Sequence, residues 1–424
     1  MNAAPVTPGG RLVGLVGVVL ILAGLAKMWS VANDGVDFPS MYVMGTGIAA
    51  GANVYDPSVP GTFPGRFGVV QPLGMFYPPA SGFAMLPFAL FPYGVAKVLW
   101  FLAICASLVF GVRAMVRVAA PRAGFHVWTL CAGIVLVSSA VRWGMALLQG
   151  APLLLGLLCL FIAALHGGWP RAAFVLAAFA TALKMTLALP FLGLLALHRR
   201  FGALFASGAA WVLLNGLGFW RMGSTLTMYR ANMGALEALN DVNSPDPWFN
   251  PGVPRLDWTF LSYGLTHQLA FSRMLCLSLS AGVALWLLFE GLRARLPADL
   301  ATSTAFLTVL VCLGSLAVYH HEYDASLFLA PLLLGVLLWR RMTPPNWAVA
   351  CIAPLTLIVL LMPLGKVREL MSNHFGVLGV GLVKLTFPIA FTLALIGSIG
   401  LLRWNASSSR VASESDALNP STPD

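Results

Sequence analysis

Roughly a dozen stretches of this chain run close to 18 residues or longer with almost no charge, and each is long enough to cross a lipid bilayer as a helix. The runs are continuous and do not alternate apolar with polar, so the spanning element they predict is the helix and not the strand of a barrel. The rest of the composition agrees. Of 424 residues, 59% are hydrophobic and only 9% are charged, with a mean hydropathy of +0.84. This excludes the soluble globular class and predicts an all-α polytopic membrane protein.

The formal net charge of +10 raises the question of nucleic acid. The basic residues, however, stand in short clusters at the ends of apolar runs, the pattern that retains loops in the cytoplasm, and no nucleic-acid partner is expected. The six cysteines, Cys105, Cys131, Cys159, Cys276, Cys312 and Cys351, all lie inside apolar runs without a CxxC pair, which points to packing and not to disulfides or metal ligation. The first run, Leu12 to Trp29, follows a single arginine, Arg11, and lacks a small-x-small cleavage site, so it reads as a retained signal-anchor helix.

Taken in order, residues 1–11 form a short cytoplasmic tail, and residues 12–403 form one transmembrane domain of about 12 crossings with outer loops at about 30–92 and 221–270. A Ser-rich tail at 404–424 reads as disordered and cytoplasmic. Within the first outer loop, Phe38 to Ala50 predicts a short helix on the membrane surface with Asp37 at its N-cap. Phe76 to Pro92 opens with Pro78 and Pro79 and reads as a half-depth element, because a full crossing there would put Arg113, Arg117 and Arg122 outside. The stretch Ala172 to Leu197 is too long for one crossing and carries Lys184 near its middle. Two short helices with Lys184 at their tip, near the outer face, satisfy both its length and the cytoplasmic His198-Arg199-Arg200. A charge at that depth is costly unless it meets an anion or water.

This topology collects on the outer side Asp34, Asp37, Tyr42, Arg66, Tyr77, Arg142, Gln149, Lys184, the 221–269 loop with Arg255, Trp258 and His267, and the Tyr319 to Asp324 cluster with His320 and His321. Only 15 acidic residues occur in the whole chain, so Asp34 and Asp37 just after the first helix stand out. Carboxylates, cations and aromatic or amide groups of this kind suit glycosyl transfer from a lipid phosphate. An acceptor hydroxyl needs a base, a departing phosphate needs positive charge, and a sugar needs polar and aromatic walls.

Several motifs then fall in a family's order: Asp37-Phe38 after the first helix, Gly51-x-Asn53-x-Tyr55-Asp56, Phe76-Tyr77-Pro78-Pro79, Gln149-Gly150, Ala182-Leu183-Lys184 before a Pro-containing helix, Arg199-Arg200, and His321-x-Tyr323-Asp324. Together they resemble glycosyltransferase family 87, from about Asp37 to Trp339. The resemblance implies the multi-spanning type C glycosyltransferase fold and a polyprenyl-phosphate-linked sugar donor, with mannose or another hexose as the sugar. It implies inverting transfer with Asp37 as general base and contact of Lys184 with the donor phosphate; beside the resemblance, Arg142 or an arginine of the 221–269 loop is the expected second cation at that phosphate. Asp34, Tyr42, Tyr77, Gln149, Arg255, Trp258, His320, His321 and Asp324 are the expected substrate contacts. One departure is visible. The family often shows Gly-Gln-x-Asn, whereas this chain has Leu148-Gln149-Gly150-Ala151 and lacks the second amide.

Plainer roles compete with these. Asp37 is also a suitable helix N-cap, Lys184 a snorkelling anchor, Arg142 a helix terminator, and Trp248 and Trp258 interfacial belt residues. Adjacent histidines on a helix point roughly 100° apart, so His320 and His321 do not grip one ion from a single face, and no metal or cofactor is expected. The expected partners are the bilayer, the lipid-linked donor and an outward-facing glycan or glycolipid acceptor. The expected location is the inner (plasma) membrane with the active site on the outer, periplasmic side. The rival classes are a secondary transporter and a lipid-linked glycan flippase or ligase, separated from the first reading by donor identity.

Overall fold

In a computed structural model of the chain, the described residues are 7–32, 37–56, 75, 77–239, 246–248, 255–293, 299–317, 321–361 and 364–418. They are helical apart from turns and a single isolated bridge between Arg255 and His321. The order begins with α1 (Pro8–Val31), α2 (Phe38–Ala50), α3 (Pro79–Ala89), α4 (Tyr93–Ala119), α5 (Phe125–Val137), α6 (Ser139–Ala146) and α7 (Gly150–His166). Next come α8 (Pro170–Leu183), a 3-10 turn (Met185–Leu187), α9 (Leu189–Leu197), α10 (Phe201–Met222), α11 (Leu226–Leu239), α12 (Trp258–Thr266) and α13 (Leu269–Arg293). The remainder is α14 (Leu300–Ala317), a 3-10 segment (Glu322–Phe328), α15 (Leu329–Leu338), α16 (Pro344–Trp347), a π-helical turn (Ala348–Ile352), α17 (Ala353–Leu361) and α18 (Leu364–Leu418).

Among the described residues, seven helices are long and apolar enough to cross a membrane, or eight if α5 and α6, bent by 54° at Ser138, form one broken span. The sequence predicts about twelve crossings. The difference comes from apolar stretches that fold into pieces under 18 residues, such as Gly150–His166, Pro170–Leu183 and Pro344–Val359. Proline opens three of the short helices at positions 79, 170 and 344, where its missing N–H costs nothing.

Three local expectations differ from what the structure shows. The helix Phe38–Ala50 forms with the predicted limits, but residues 38–48 are buried on every face, so it sits inside the bundle and not on a membrane surface. It packs chiefly on α3, with α4 and α10 alongside. The charge pattern also predicts an outer loop at Lys366 to His374, but these residues belong to α18, which has non-helical backbone angles at Gly376 (φ 57°, ψ −140°). The C-terminal residues after 403 continue α18 through Leu418, where a disordered tail is expected; no proline or glycine intervenes between Gly400 and Pro420 to stop the helix.

The core is built by close helix contacts. Helix α1 lies along α5, and α4 lies along α7. At the α4–α7 crossing the backbones nearly touch: a Cβ on Gly156 would overlap the Ser107 backbone, and one on Gly111 would overlap the carbonyl of Gly156. Helix α14 is the central one, 78% of its apolar window being buried, against 17% for α10 and α13, whose apolar faces are left for lipid. It is surrounded by α9, α13, α15 and α18.

The two ends of the bundle differ in what they assemble. At one end the His166 and His198 rings meet edge to face at 4.8 Å, and His198 Nε2 lies 2.9 Å from Ser303 Oγ near the start of α14. Helix α7 (Gly150–His166), with Gln149 at its N-cap, is about 25 Å long at 1.5 Å per residue, so Gln149 is far from this end.

Candidate active site

Asp37 occupies the N-cap position of α2 without capping it. Its backbone is helical there (φ −91°, ψ −26°), and its side chain accepts no hydrogen bond from the first turn. The carboxylate is turned instead toward α7, where Gln149 Nε2 donates a short hydrogen bond to Oδ2. The backbone of Asp37 is pinned from the same side, its N–H donating to Leu147 O at 3.2 Å. A local reading of the sequence therefore assigns Asp37 a cap that tertiary contacts take away.

Gln149 is the hub. It is 4% exposed and holds three partners from three other parts of the chain. Besides Asp37, its Nε2 donates to Tyr323 Oη at 3.3 Å, and its Oε1 accepts from Tyr77 Oη at 3.4 Å. The amide is thereby oriented, oxygen toward Tyr77 and nitrogen toward Asp37. It is presented by a turn in which Leu148 takes a left-handed conformation (φ 52°), costing about 1–2 kcal/mol for a residue with a Cβ. The turn is held by the fully buried Trp100, whose Nε1–H donates to Leu148 O at 3.0 Å, and by Gln149 N–H donating to Gly144 O at 2.8 Å.

Tyr77 is placed by the Gly51-x-Asn53-x-Tyr55-Asp56 motif. Gly51 ends α2 in the left-handed region (φ 69°), where glycine carries no steric penalty. Asn53 Oδ1 then accepts the Tyr55 N–H at 3.2 Å, and Tyr55 Oη donates to Tyr77 O at 2.8 Å. Tyr55 also packs edge to face on Tyr229 of α11, with ring centroids 5.2 Å apart. Immediately after Tyr77, the free Ala80 N–H at the start of α3 donates to Asn215 Oδ1 of α10 at 3.1 Å, anchoring the prolines to the bundle.

Lys184 stands where α8 breaks before α9, in an extended conformation (φ −154°, ψ 88°). Its Nζ donates to Asp324 Oδ1 at 2.9 Å and lies 5.5 Å from the centre of the Tyr323 ring. Asp324 is 1% exposed and the Lys184 side chain 16%. Asp324 also closes a capping box with His321: its Oδ2 accepts the His321 N–H at 3.4 Å and the His321 side chain accepts the Asp324 N–H, which also donates to His321 O at 3.0 Å. The His321 ring lies 5.4 Å from that of Tyr323. Asp37, Gln149, Tyr323, Lys184 and Asp324 thus form one connected polar cluster.

Asp37 lies outside the spanning helices, and burial pushes its carboxyl above the usual carboxylate range. The Gln149 hydrogen bond and the positive charge of Lys184 work against that rise, and the negative charge of Asp324 adds to it. A carboxylate that is poorly solvated, oriented by an amide and within electrostatic reach of one cation has the properties of a general base beside an anion site.

The other expected site residues distribute unevenly. Tyr77, Gln149, His321 and Asp324 belong to this cluster. Arg255 comes beside it through its backbone bridge to His321, but its guanidinium is buried and doubly bonded to Asp257, at 2.9 and 3.0 Å. Trp258 is buried with its indole N–H donating to Thr392 Oγ1 of α18 at 2.9 Å, and the Tyr42 hydroxyl donates to Phe91 O at 2.8 Å. Arg142 is exposed on α6, and its side chain forms no hydrogen bond or ion pair with a described residue, although α6 packs against the 3-10 segment that carries Asp324. Asp34 and His320 lie outside the described residues. Tyr323, which bonds Gln149 and faces Lys184, belongs to the His321-x-Tyr323-Asp324 motif but is not among the expected substrate contacts.

The family model described as glycosyltransferase family 87 matches residues 76–315. The matched region contains Tyr77, Gln149 and Lys184, begins after Asp37 and ends before His321 and Asp324. No curated protein matches the chain. Because the match takes in more than half of the 424 residues, the chain belongs to glycosyltransferase family 87.

Proposed function

We propose that this membrane glycosyltransferase moves one sugar, mannose or another hexose, from a polyprenyl-phosphate carrier to an outward-facing glycan or glycolipid, inverting the anomeric carbon. The observation that carries the proposal is the joining of a base candidate and a cation by one hydrogen-bonded cluster. Asp37 is bonded to Gln149, Gln149 to Tyr323, and Lys184 lies over Tyr323 within electrostatic reach of Asp37.

In this mechanism the acceptor hydroxyl approaches Asp37 through the oxygen not taken by Gln149. As the new C–O bond forms, the bond between the anomeric carbon and the phosphate oxygen breaks, and the acceptor's proton passes to Asp37. The phosphate gains one negative charge as it leaves, and Lys184 stabilises it where water is scarce. Protein cations supply this neutralisation, so the mechanism calls on no cofactor. The site is assigned to the outer face of the plasma membrane, because Arg113, Arg117, Arg171, Arg199 and Arg200 cluster in the turns predicted to lie inside.

The direct test is incubation of purified protein with a polyprenyl-phosphate-linked hexose, reading released polyprenyl phosphate and the anomeric configuration of the product. Release with inversion is expected. Absence of turnover with every monophosphate donor, together with solute flux in vesicles, would replace the enzyme with a transporter.

The pH profile offers a second check. Activity falls as pH drops through the pKa of Asp37, because the protonated carboxyl is no longer a base. Gln149→Leu removes the hydrogen bond that holds this pKa down, so the acid limb of kcat/KM is expected to move to higher pH. A limb that stays in place would remove Gln149 from contact with the base in solution.

A further inference from the structure

The Lys184–Asp324 pair poses a difficulty for any anion that approaches Lys184. The ammonium is already matched by a carboxylate at 2.9 Å, so together the two groups present almost no net positive charge. An incoming phosphate would meet the Asp324 carboxylate as a like charge beside its intended partner. A like charge in so buried a position is strongly repelled.

The two partners are unequally held. Asp324 sits on the 3-10 segment Glu322–Phe328, is 1% exposed, and is tied at its other oxygen to the His321 N–H and through its own N–H to His321 O. It stays in place and keeps a hydrogen bond when Lys184 moves away. Lys184 stands at a break between two helices, is more exposed, and ends a flexible four-carbon stem whose ammonium also faces the Tyr323 ring. Swinging away from Asp324 leaves that ring available as a second electrostatic partner.

Resting on the lipid-phosphate reading above, we propose that Asp324 is the resting counter-ion of Lys184, and that the donor's phosphate takes its place when the lipid carrier binds. Asp324 is then a positioning residue that acts through Lys184, and not a contact to the sugar. The exchange has two consequences. In the empty site the lysine charge is compensated, which keeps a partly buried cation from being left alone. In the loaded site Lys184 pairs with the group that gains charge during transfer, and once the phosphate leaves, Asp324 reclaims the lysine and favours release.

The experiment measures equilibrium binding of a short-chain polyprenyl phosphate to detergent-purified full-length protein, without turnover. Asp324→Asn keeps the size of the side chain and an oxygen for the His321 N–H but removes the competing charge. It is expected to bind the lipid phosphate about tenfold more tightly than wild type, a difference of roughly 1.4 kcal/mol. Lys184→Met is expected to bind it weakly, and the double variant K184M/D324N is expected to bind no better than K184M, because the effect passes through the lysine. A polyprenyl alcohol of the same length should bind wild type and D324N equally.

Unchanged or weaker phosphate binding by folded D324N overturns the exchange, as does tighter binding of the alcohol. If D324N does not yield folded protein, Asp324→Ser carries the same comparison, and failure of both to tighten phosphate binding counts against the proposal. Since the readout is binding, it stands apart from turnover: a wild type that binds the phosphate but transfers no sugar removes the transferase reading and leaves the exchange standing.

Discussion

Asp37→Asn is expected to give a normally folded protein whose transfer rate falls by about 10²–10⁴-fold, the range associated with loss of a general base. The amide keeps the shape of the side chain and an oxygen for Gln149 but cannot take up the acceptor's proton. Folding should be spared for a reason specific to this structure. Although Asp37 occupies a helix N-cap, its side chain accepts no hydrogen bond from the first turn, so the usual loss of about 1 kcal/mol on removing a capping group does not apply. Neutralising a carboxylate whose ionised form is disfavoured by burial should leave the melting temperature in detergent unchanged or slightly raised. Single-turnover transfer alongside thermal unfolding separates the two effects. A variant that transfers at the wild-type rate would remove Asp37 from the mechanism, and one that is inactive because it unfolds would make it a structural residue.

Lys184→Met should fail in both respects, and the two can be separated. Removing the ammonium leaves Asp324 buried at 1% exposure without its ionic partner, a change that costs about 3–5 kcal/mol in buried pairs. Because the lysine side chain is itself 16% exposed, water relieves part of this, and the lower end of the range is the expected loss. Transfer should drop by about 10²–10³-fold, as when one group stabilising a developing anion is deleted. Adding Asp324→Asn removes the stranded charge, so K184M/D324N should regain most of the stability and none of the activity. Recovery of both would mean that Lys184 serves only to neutralise Asp324.

Much of the local structure was legible from residue patterns. The limits of Phe38–Ala50, the short helix after Pro78 and the interruption at Lys184 follow from proline positions, a left-handed glycine and the cost of a charge in an apolar run. What residue patterns do not show is where an apolar run breaks into shorter helices: about twelve crossings are expected, and among the described residues seven or eight helices are long and apolar enough to span. The fate of polar side chains was harder still. Arg255, Trp258 and Tyr42 are each bonded to a partner, Asp257, Thr392 or Phe91, that no local pattern announces. The left-handed Leu148 that aims Gln149 has no sequence signal either, because leucine is an ordinary choice in a helix and a poor one in that conformation.

By itself, then, the sequence determined the class of molecule, the helices and the residues that carry unusual chemistry for a membrane: Asp37, Lys184, and the His321 to Asp324 stretch. Continuous apolar runs permit few alternatives to helices in lipid, and a rare charge among them is conspicuous. Tertiary structure alone decided what those residues do to one another. Asp37, Tyr77, Gln149, Lys184 and Asp324 are separated by up to 287 positions along the chain, and only packing of α2, α7, the α8–α9 break and the segment after α14 brings their side chains within hydrogen-bonding reach. Hydrogen bonds and ion pairs act over about 3 Å and depend on direction, so they are properties of the folded arrangement and not of the order of residues.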